Sequence, residues 1–367
     1  MPDTAFKIAF CNNAWHRRIG ASIAVLFLGG CAATAYLGQS ISGEFDLLHR
    51  ARPIPSLVAD QHTPPDLRAR LQAVLGIRDF ATHELSLPDN DSYRRYTDVG
   101  RKFVVWNVFV APELSSELMT WCFPVAGCVA YRGYFREADA EEFATTMRSQ
   151  GHDVFVGGVP AYSTLGYFDD PVLSTFIQYP EAEIARLLFH ELAHQVAYAK
   201  DDSTFNESFA VTVETEGLRR YLAAAPPARV EAVNEASSRR EDFAELVSHA
   251  REHLTAAYAA APDDAARRQA KTRIIDELQQ TYAALKTGKW HGYSGYDHWF
   301  AGGVNNAKLG SVAVYTVRVP QFQALLARKG GNLQAFYQEV KALSRLPKTQ
   351  RDVKLDSLTA PLQAAAE

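Results

Sequence analysis

Five adjacent residues of this 367-residue chain, His190-Glu191-Leu192-Ala193-His194, combine two imidazoles and a carboxylate at a spacing that suits metal chemistry. Residues four apart in a helix lie on one face, so both imidazoles can reach one ion. Zinc accepts neutral imidazole ligands, and Glu191 lies one position further round, beside the open side of the ion. The spacing therefore predicts a zinc site held by His190 and His194, with Glu191 as the base that takes a proton from water.

A catalytic zinc ion needs a third protein ligand and an open fourth position. Glu207, in the segment Phe205-Asn206-Glu207-Ser208-Phe209-Ala210, brings a carboxylate shortly after the two histidines. Glu214 is the alternative ligand, and its spacing of seven residues from Glu207 places both on nearly the same helix face. We predict that Glu207 binds the metal, while Glu214 supports a ligand histidine or recognises a substrate amine.

A transition-state oxyanion needs a hydrogen-bond donor in addition to the metal. Three tyrosines that follow the metal-binding segments are candidates for this donor or for substrate contact, with structural packing as the alternative: Tyr293, Tyr296 and Tyr315. A second histidine pair, His249 and His253, is also four apart, but no carboxylate motif lies nearby. We therefore expect the second pair to be solvated or at the edge of the core.

Several further segments accompany the two metal-binding motifs: residues 121–124, 127–135 and 161–166. Together they resemble the zinc aminopeptidase family inferred among bacterial lipoproteins, over residues 36 to 345 or so. The motif pair is also similar to that of the glutamate-zincin aminopeptidases, although only twelve residues separate His194 from Glu207 here, a shorter loop than in those enzymes. The resemblance implies a zinc-dependent aminopeptidase that acts on peptides, with Glu207 as the third ligand.

The two histidines need a helix to hold them, and the pattern predicts one over residues 181–199. Glu181 and Glu183 suit the positive N-terminal end of a helix dipole. Apolar residues recur at helical spacing and predict the face that packs on the core: Ile184, Leu187, Leu188, Leu192 and Val196. A loop is predicted at residues 201–204, followed by a second helix that ends near residue 221.

Outside these two helices, strands are predicted in the part of the chain before them, and the part after about residue 228 is predicted to be mostly helical. β-branched and aromatic residues predict strands at 103–110, 129–131 and 153–156, with a helix at 137–150 between them. Amphipathic stretches predict helices at 229–259, 263–287, 311–327 and 332–345. We expect an α+β fold in which one zincin-like catalytic unit spans residues 31–367. It comprises a sheet-containing part at about 100–165, zinc helices at about 181–221, and a mostly helical C-terminal part at about 228–345.

The N-terminus has the pattern of an export segment. His16, Arg17 and Arg18 precede an apolar run at residues 19–28, which ends at Leu28-Gly29-Gly30-Cys31. This ending resembles the lipobox of bacterial lipoproteins, in which the chain is cut before a cysteine whose thiol is then lipidated. We predict a signal peptide at residues 1–30 and a lipidated Cys31 in the outer membrane, with the protein facing the periplasm. An uncleaved membrane anchor is the alternative, because apolar residues continue to residue 37.

Cysteine usage and charge add two expectations. Cys122 and Cys128 flank a turn-rich stretch, and a disulfide between them suits an oxidising compartment, with two unrelated buried thiols as the alternative. The net charge is −4 and no basic run occurs, which argues against a nucleic-acid partner.

Two rival functions remain open at this level. One is a binding or scaffold lipoprotein that keeps the fold without catalysis, and the other is a zinc hydrolase that cleaves another kind of bond. The presence of Glu191 favours catalysis, because a structural zinc needs no base and fills its fourth position with protein.

Overall fold

A computed structural model describes residues 36, 38, 39, 42–123, 127–161 and 163–359. The chain divides into two compact units, Met1–Asp46 and Leu47–Glu367. The described residues of the first unit are helical and are named α1 here. The second unit contains the candidate site and every strand found among the described residues, so the account below concerns that unit.

The strands of the second unit are β1 (Arg52–Pro53), β2 (Arg95–Thr97), β3 (Val105–Pro112), β4 (Trp121–Phe123), β5 (Gly127–Val129), β6 (Arg132–Tyr134), β7 (His152–Val159) and β8 (Val172–Leu173). Its helices are α2 (Ile54–Ala59), α3 (Pro65–His83), α4 (Glu137–Ser149), α5 (Glu181–Val196), α6 (Ser203–Tyr221), α7 (Pro227–Ala260), α8 (Asp264–Thr287), α9 (Asp297–Ala301), α10 (Asn306–Thr316), α11 (Val319–Arg328), α12 (Leu333–Ser344) and α13 (Lys348–Thr359). The predicted α+β class, with a mostly helical C-terminal half, is confirmed.

The principal sheet has the order β6-β3-β7 and is antiparallel. Strand β3 lies at its centre and is buried along nearly its whole length, which explains its run of β-branched and aromatic residues. It pairs with β7 from Val105↔Val159 to Pro112↔His152. Strand β7 therefore ends at the segment that runs from the sheet to α5.

Two smaller sheets complete the β structure. Strands β4 and β5 form a hairpin in which Cys122 lies opposite Cys128, and a disulfide joins the two residues. The third sheet has the order β1-β2-β8 and lies outside the predicted region of residues 100–165. Its strands are two or three residues long, so they carry no periodicity from which they could be predicted.

Helices α5 and α6 lie in the largest apolar core. Leu188 and Leu192 of α5 are fully buried in it, as the apolar stripe predicts. Phe209 of α6 packs on Phe322 of α11 and Phe336 of α12, with ring centroids 5.9 and 5.8 Å apart. Burial of these faces directs the opposite faces of α5 and α6, which carry the histidines and glutamates, towards each other.

Helices α7 and α8 form an antiparallel pair with a separate aromatic core. Tyr296 stacks on Phe243 with ring centroids 4.1 Å apart, and Phe300 stacks on Tyr282 at the same distance. Trp290 completes this cluster.

Two helical predictions need correction. The single helix predicted at residues 311–327 is wrong, since α10 ends at Thr316 and α11 begins at Val319. Pro320 lies in the first turn of α11, where its fixed φ and missing N–H are tolerated but where it cannot continue an earlier helix. Helix α13 was not predicted at all.

Cys31 and residues 1–30, for which a signal peptide is predicted, lie outside the described residues. Among the helices of the part that the structure describes, none combines the length and apolar character needed to cross a bilayer.

Candidate metal centre

Helix α5 presents its histidines on the face opposite the core stripe. Pro180 precedes the helix, and the acidic residues Glu181 and Glu183 occupy its first turn. The helix ends at Val196, three residues before the predicted end at 199. His194 is buried, whereas His190 and Glu191 keep some contact with solvent.

The connection between α5 and α6 is fixed by the residue before Glu207. The side-chain amide of Asn206 accepts a hydrogen bond from the backbone N–H of Ala199 at 2.7 Å and donates one to its carbonyl at 2.9 Å. Both groups are buried, so the two bonds close the connection and set the first turn of α6 against the end of α5. In the sequence Asn206 stands only as part of a motif, and nothing there indicates these two bonds to a residue of the preceding connection.

Asp202 caps the first turn of α6, accepting a hydrogen bond from the backbone N–H of Phe205 at 3.2 Å. Its other carboxylate oxygen is paired with Arg351 of α13 at 2.7 Å, and both side chains are almost fully buried. The last helix of the chain thus holds the start of the helix that carries Glu207. An aspartate before Ser203 is a recognisable capping pattern, but nothing in the sequence links it to Arg351.

Three electron-pair donors converge between α5 and α6. The Nε2 atoms of His190 and His194 are 3.2 Å apart, and the Oε2 atom of Glu207 lies 3.2 Å from the first and 3.6 Å from the second. Donor atoms placed about 2.0–2.2 Å from a tetrahedral zinc are separated by about 3.3–3.6 Å, so the observed triangle fits that ion. These residues are also the group of potential metal ligands found among the described residues.

Glu214 lies behind His190 rather than beside the other two donors. Its Oε2 atom is 2.8 Å from Nδ1 of His190, and its Oε1 atom is 3.4 Å from Nη1 of Arg186. When Nδ1–H donates to this carboxylate, the Nε2 lone pair of His190 faces the triangle of donors. Of the two roles left open for Glu214, this position supports the one at the histidine.

Electrostatic effects show how strongly the cluster favours a cation. Burial by itself raises the pKa of Glu207, but the charges and hydrogen bonds of His194 and His190 outweigh this effect and lower the pKa to about 2. Burial lowers the pKa of His190, while its hydrogen bonds to Glu207 and Glu214 raise it well above the usual value. The carboxylates therefore stabilise positive charge at this point, which a metal ion can supply in place of protons.

Glu191 has the environment of a buried base. Burial raises its pKa, and the neighbouring His190 and His194 act in the opposite direction. A carboxylate whose proton affinity is increased in this way is better suited to accept a proton from water.

The three candidate tyrosines lie in two different places. The ring centroid of Tyr315 is 6.3 Å from that of His190, and the pKa of its hydroxyl is raised well above the usual value, first by the charge of Glu207 and then by burial. Tyr315 therefore keeps its proton as a possible donor. Tyr293 and Tyr296 lie in the aromatic cluster of α7 and α8, where Tyr293 lies beneath the guanidinium of Arg239.

The loop that precedes α5 also contacts the site helix. Strand β7 ends at Val159, and the described residues that follow it up to Gly166 form no further strand. Asp170 holds this loop, accepting hydrogen bonds from the hydroxyl of Thr164 at 2.8 Å and from its N–H at 3.0 Å. Gly166, with a φ of +81°, approaches the side chain of Gln195 next to His194.

The disulfide hairpin meets the connection between the two site helices. The N–H of Cys128 donates to the carboxylate of Asp201 at 2.6 Å. Gly127 leaves room for this contact, since a Cβ there would lie 2.4 Å from the same carboxylate. The hairpin of β4 and β5 is thereby attached beside α5 and α6, the helices that carry the candidate site.

Comparison with known families gives a match that covers residues 35–355, and the family is described as "putative aminopeptidase". The chain belongs to this family. The match includes both site helices and the hairpin, and membership of the putative aminopeptidase family indicates peptidase activity. No curated protein and no solved structure matches the chain.

Proposed function

We propose that this member of the aminopeptidase family is a zinc-dependent peptidase with a zincin-like site. His190, His194 and Glu207 would hold the ion, and a fourth position would remain open for water or substrate. The observation that carries this proposal is the triangle of donor atoms with edges of 3.2, 3.2 and 3.6 Å. It lies beside a partly exposed carboxylate, Glu191, that is not one of the three ligands.

A zinc ion in this triangle would supply Lewis acidity, which promotes ionisation of water and polarises the scissile carbonyl. Glu191 accepts the proton of the attacking water at its carboxylate and passes it to the leaving amine. The neutral hydroxyl of Tyr315 donates to the oxyanion that develops on the carbonyl oxygen. Glu214 accepts a hydrogen bond from Nδ1–H of His190 and thereby keeps this ring in the tautomer whose Nε2 lone pair would be available to a metal ion.

The same geometry favours catalysis over a scaffold role. A structural zinc has four protein ligands, whereas the described residues offer three here. Glu191, a partly exposed carboxylate next to that cluster whose pKa is raised by burial, favours a catalytic role.

We also propose that the protein is exported and held at the outer membrane by a lipid on Cys31, where it faces the periplasm. The lipobox-like sequence supports this location, and the disulfide between Cys122 and Cys128 suits an oxidising compartment. Mass spectrometry of the mature N-terminus should find acylated Cys31, whereas an intact Met1 in the membrane fraction would indicate an uncleaved anchor instead.

The function is tested by hydrolysis of a panel of aminoacyl amides, short peptides and esters before and after removal of the metal. We expect peptide hydrolysis that a chelator abolishes and that one equivalent of zinc restores. Each peptide is compared with its N-acetylated twin, because an aminopeptidase requires a free amine. Equal rates for the twins would replace an aminopeptidase with an endopeptidase, and cleavage of esters alone would indicate another bond type.

A further inference from the structure

Arg186 lies one helical turn before His190 and is buried although it is charged. Its side chain is 10% exposed and that of its partner Glu214 is 11% exposed. Buried guanidinium groups are retained where they pair with carboxylates, because removing the charge from water is costly. The partners of the Arg186 guanidinium are therefore the next point to establish.

The guanidinium joins three helices. Its Nη1 atom is 3.4 Å from Oε1 of Glu214 on α6, and its Nη2 atom donates to the hydroxyl of Ser237 on α7 at 2.8 Å. On α5 itself, Glu183 lies 3.7 Å from its Nε atom and is paired with Arg240 of α7 at 2.8 Å. The guanidinium is thus held from two sides while it faces the carboxylate behind His190.

The two ligand histidines differ in how they are held. Nδ1 of His190 has the carboxylate of Glu214 at 2.8 Å, whereas Nδ1 of His194 is buried and has no hydrogen-bond partner among the described residues. Among the described residues, Glu214 is therefore the group whose hydrogen bond to an Nδ1 atom orients one of the two proposed ligand imidazoles. A group that fixes Glu214 would determine how well the triangle is formed.

We propose that Arg186 is a positioning residue, which aims Glu214 at Nδ1 of His190 and thereby sets the direction of the metal-binding Nε2 atom. This inference rests on the zinc site of the proposed function. Arg186 touches none of the three proposed ligands, so its effect on the metal must be transmitted by Glu214.

The test measures zinc affinity of the whole mature protein by competition with a chromogenic chelator at fixed pH. We expect Arg186→Met to weaken binding about tenfold to a hundredfold, the usual cost of losing an outer partner of a metal ligand. Arg186→Lys should fall between this variant and the wild type, because one ammonium cannot hold Glu214 and Ser237 in the same way. Arg219→Met is the matched control, since Arg219 pairs with Glu216 on the exposed side of α6.

A double-mutant cycle separates positioning from general stabilisation. If Arg186 acts through Glu214, Arg186→Met should add almost nothing to the loss caused by Glu214→Gln. The visible absorption of the cobalt-substituted protein should also change in Arg186→Met and stay unchanged in Arg219→Met. Unfolding curves of the metal-free proteins identify any variant that fails to fold, and Arg186→Lys then carries the comparison.

Wild-type affinity in Arg186→Met, or losses that multiply in the double variant, would overturn the role given to Arg186 and leave the zinc site standing. A wild-type protein that binds no zinc would instead contradict the proposed function itself. The two failures are therefore distinguishable in one experiment.

Discussion

Two histidine pairs with the same spacing lie on helices of this protein, and they have different surroundings. The rings of His190 and His194 on α5 have centroids 4.9 Å apart, and those of His249 and His253 on α7 are 4.0 Å apart. The α5 pair faces Glu207 in a largely buried position, whereas the α7 pair is exposed to solvent. Within the described residues, no third potential ligand completes the α7 pair.

The difference shows that a spacing of four supplies two ligands and nothing more. The α5 pair becomes a candidate site because a second helix brings a carboxylate to the same point, and because Asn206 fixes where that helix begins. Among the described residues the α7 pair has no such partner, and both of its rings are exposed. The α7 pair therefore provides controls for each claim about the α5 pair.

The largest expected effect concerns the ligands themselves. We expect His190→Ala, His194→Ala and Glu207→Ala each to weaken zinc binding by roughly a hundredfold or more, since a binding energy of about 10 kcal/mol is shared among a few ligands. Peptide hydrolysis should fall to background in each. His249→Ala and His253→Ala should keep full zinc, as measured by metal analysis after dialysis. If Glu207→Ala keeps its zinc while Glu214→Ala loses it, Glu214 is the third ligand.

The second effect concerns the base. Glu191→Gln keeps the shape of the side chain but cannot accept a proton, so turnover should fall by about two to four orders of magnitude. Zinc content should remain at the wild-type level, because Glu191 is not one of the three donors. Glu252, which lies within the exposed pair, gives the matched control Glu252→Gln, and its kinetics should be those of the wild type. Near-normal hydrolysis by zinc-loaded Glu191→Gln would exclude this role.

The third effect separates the tyrosines. Loss of one donor to an oxyanion costs about two to three orders of magnitude in turnover, and we expect a loss of this size for Tyr315→Phe with little change in KM. Tyr293→Phe and Tyr296→Phe should behave as the wild type, because Tyr296 packs in the aromatic cluster of α7 and α8 and the ring of Tyr293 contacts Trp290 and Tyr296 there. A larger loss in either of these variants than in Tyr315→Phe would place the donor in that cluster.

A feature of the site could be predicted from the sequence when the residues that determine it lie close together in the chain. The face that carries His190 could be predicted because the apolar stripe on α5 fixes its opposite face within one helix. The choice of Tyr315 over Tyr296 could not, since it depends on the packing of α10 against distant helices. The same applies to Arg351, whose pairing with Asp202 spans 149 residues. Both side chains are almost fully buried in the folded chain, and the sequence gives no sign of this burial.

The smallest expected effect concerns the connection between the site helices. Asn206→Ala leaves a buried N–H and a buried carbonyl of Ala199 without their partners, so the free energy of unfolding should fall by about 1–3 kcal/mol. Zinc affinity should fall with it, because Glu207 is the next residue. Asn332→Ala removes a helix cap far along the chain and should cost about 1 kcal/mol without an effect on zinc. Denaturant unfolding and chelator competition measure both quantities, and equal zinc affinity in the two variants would deny Asn206 its role.

The most direct test of the central claim is anomalous diffraction at the zinc absorption edge from crystals of the protein purified without added chelator. We predict one strong peak, about 2.0–2.2 Å from Nε2 of His190, Nε2 of His194 and Oε2 of Glu207. The fourth position should hold a water molecule or a substrate analogue. A peak at His249 and His253 alone, or no peak between α5 and α6 in crystals soaked with zinc, would contradict the account.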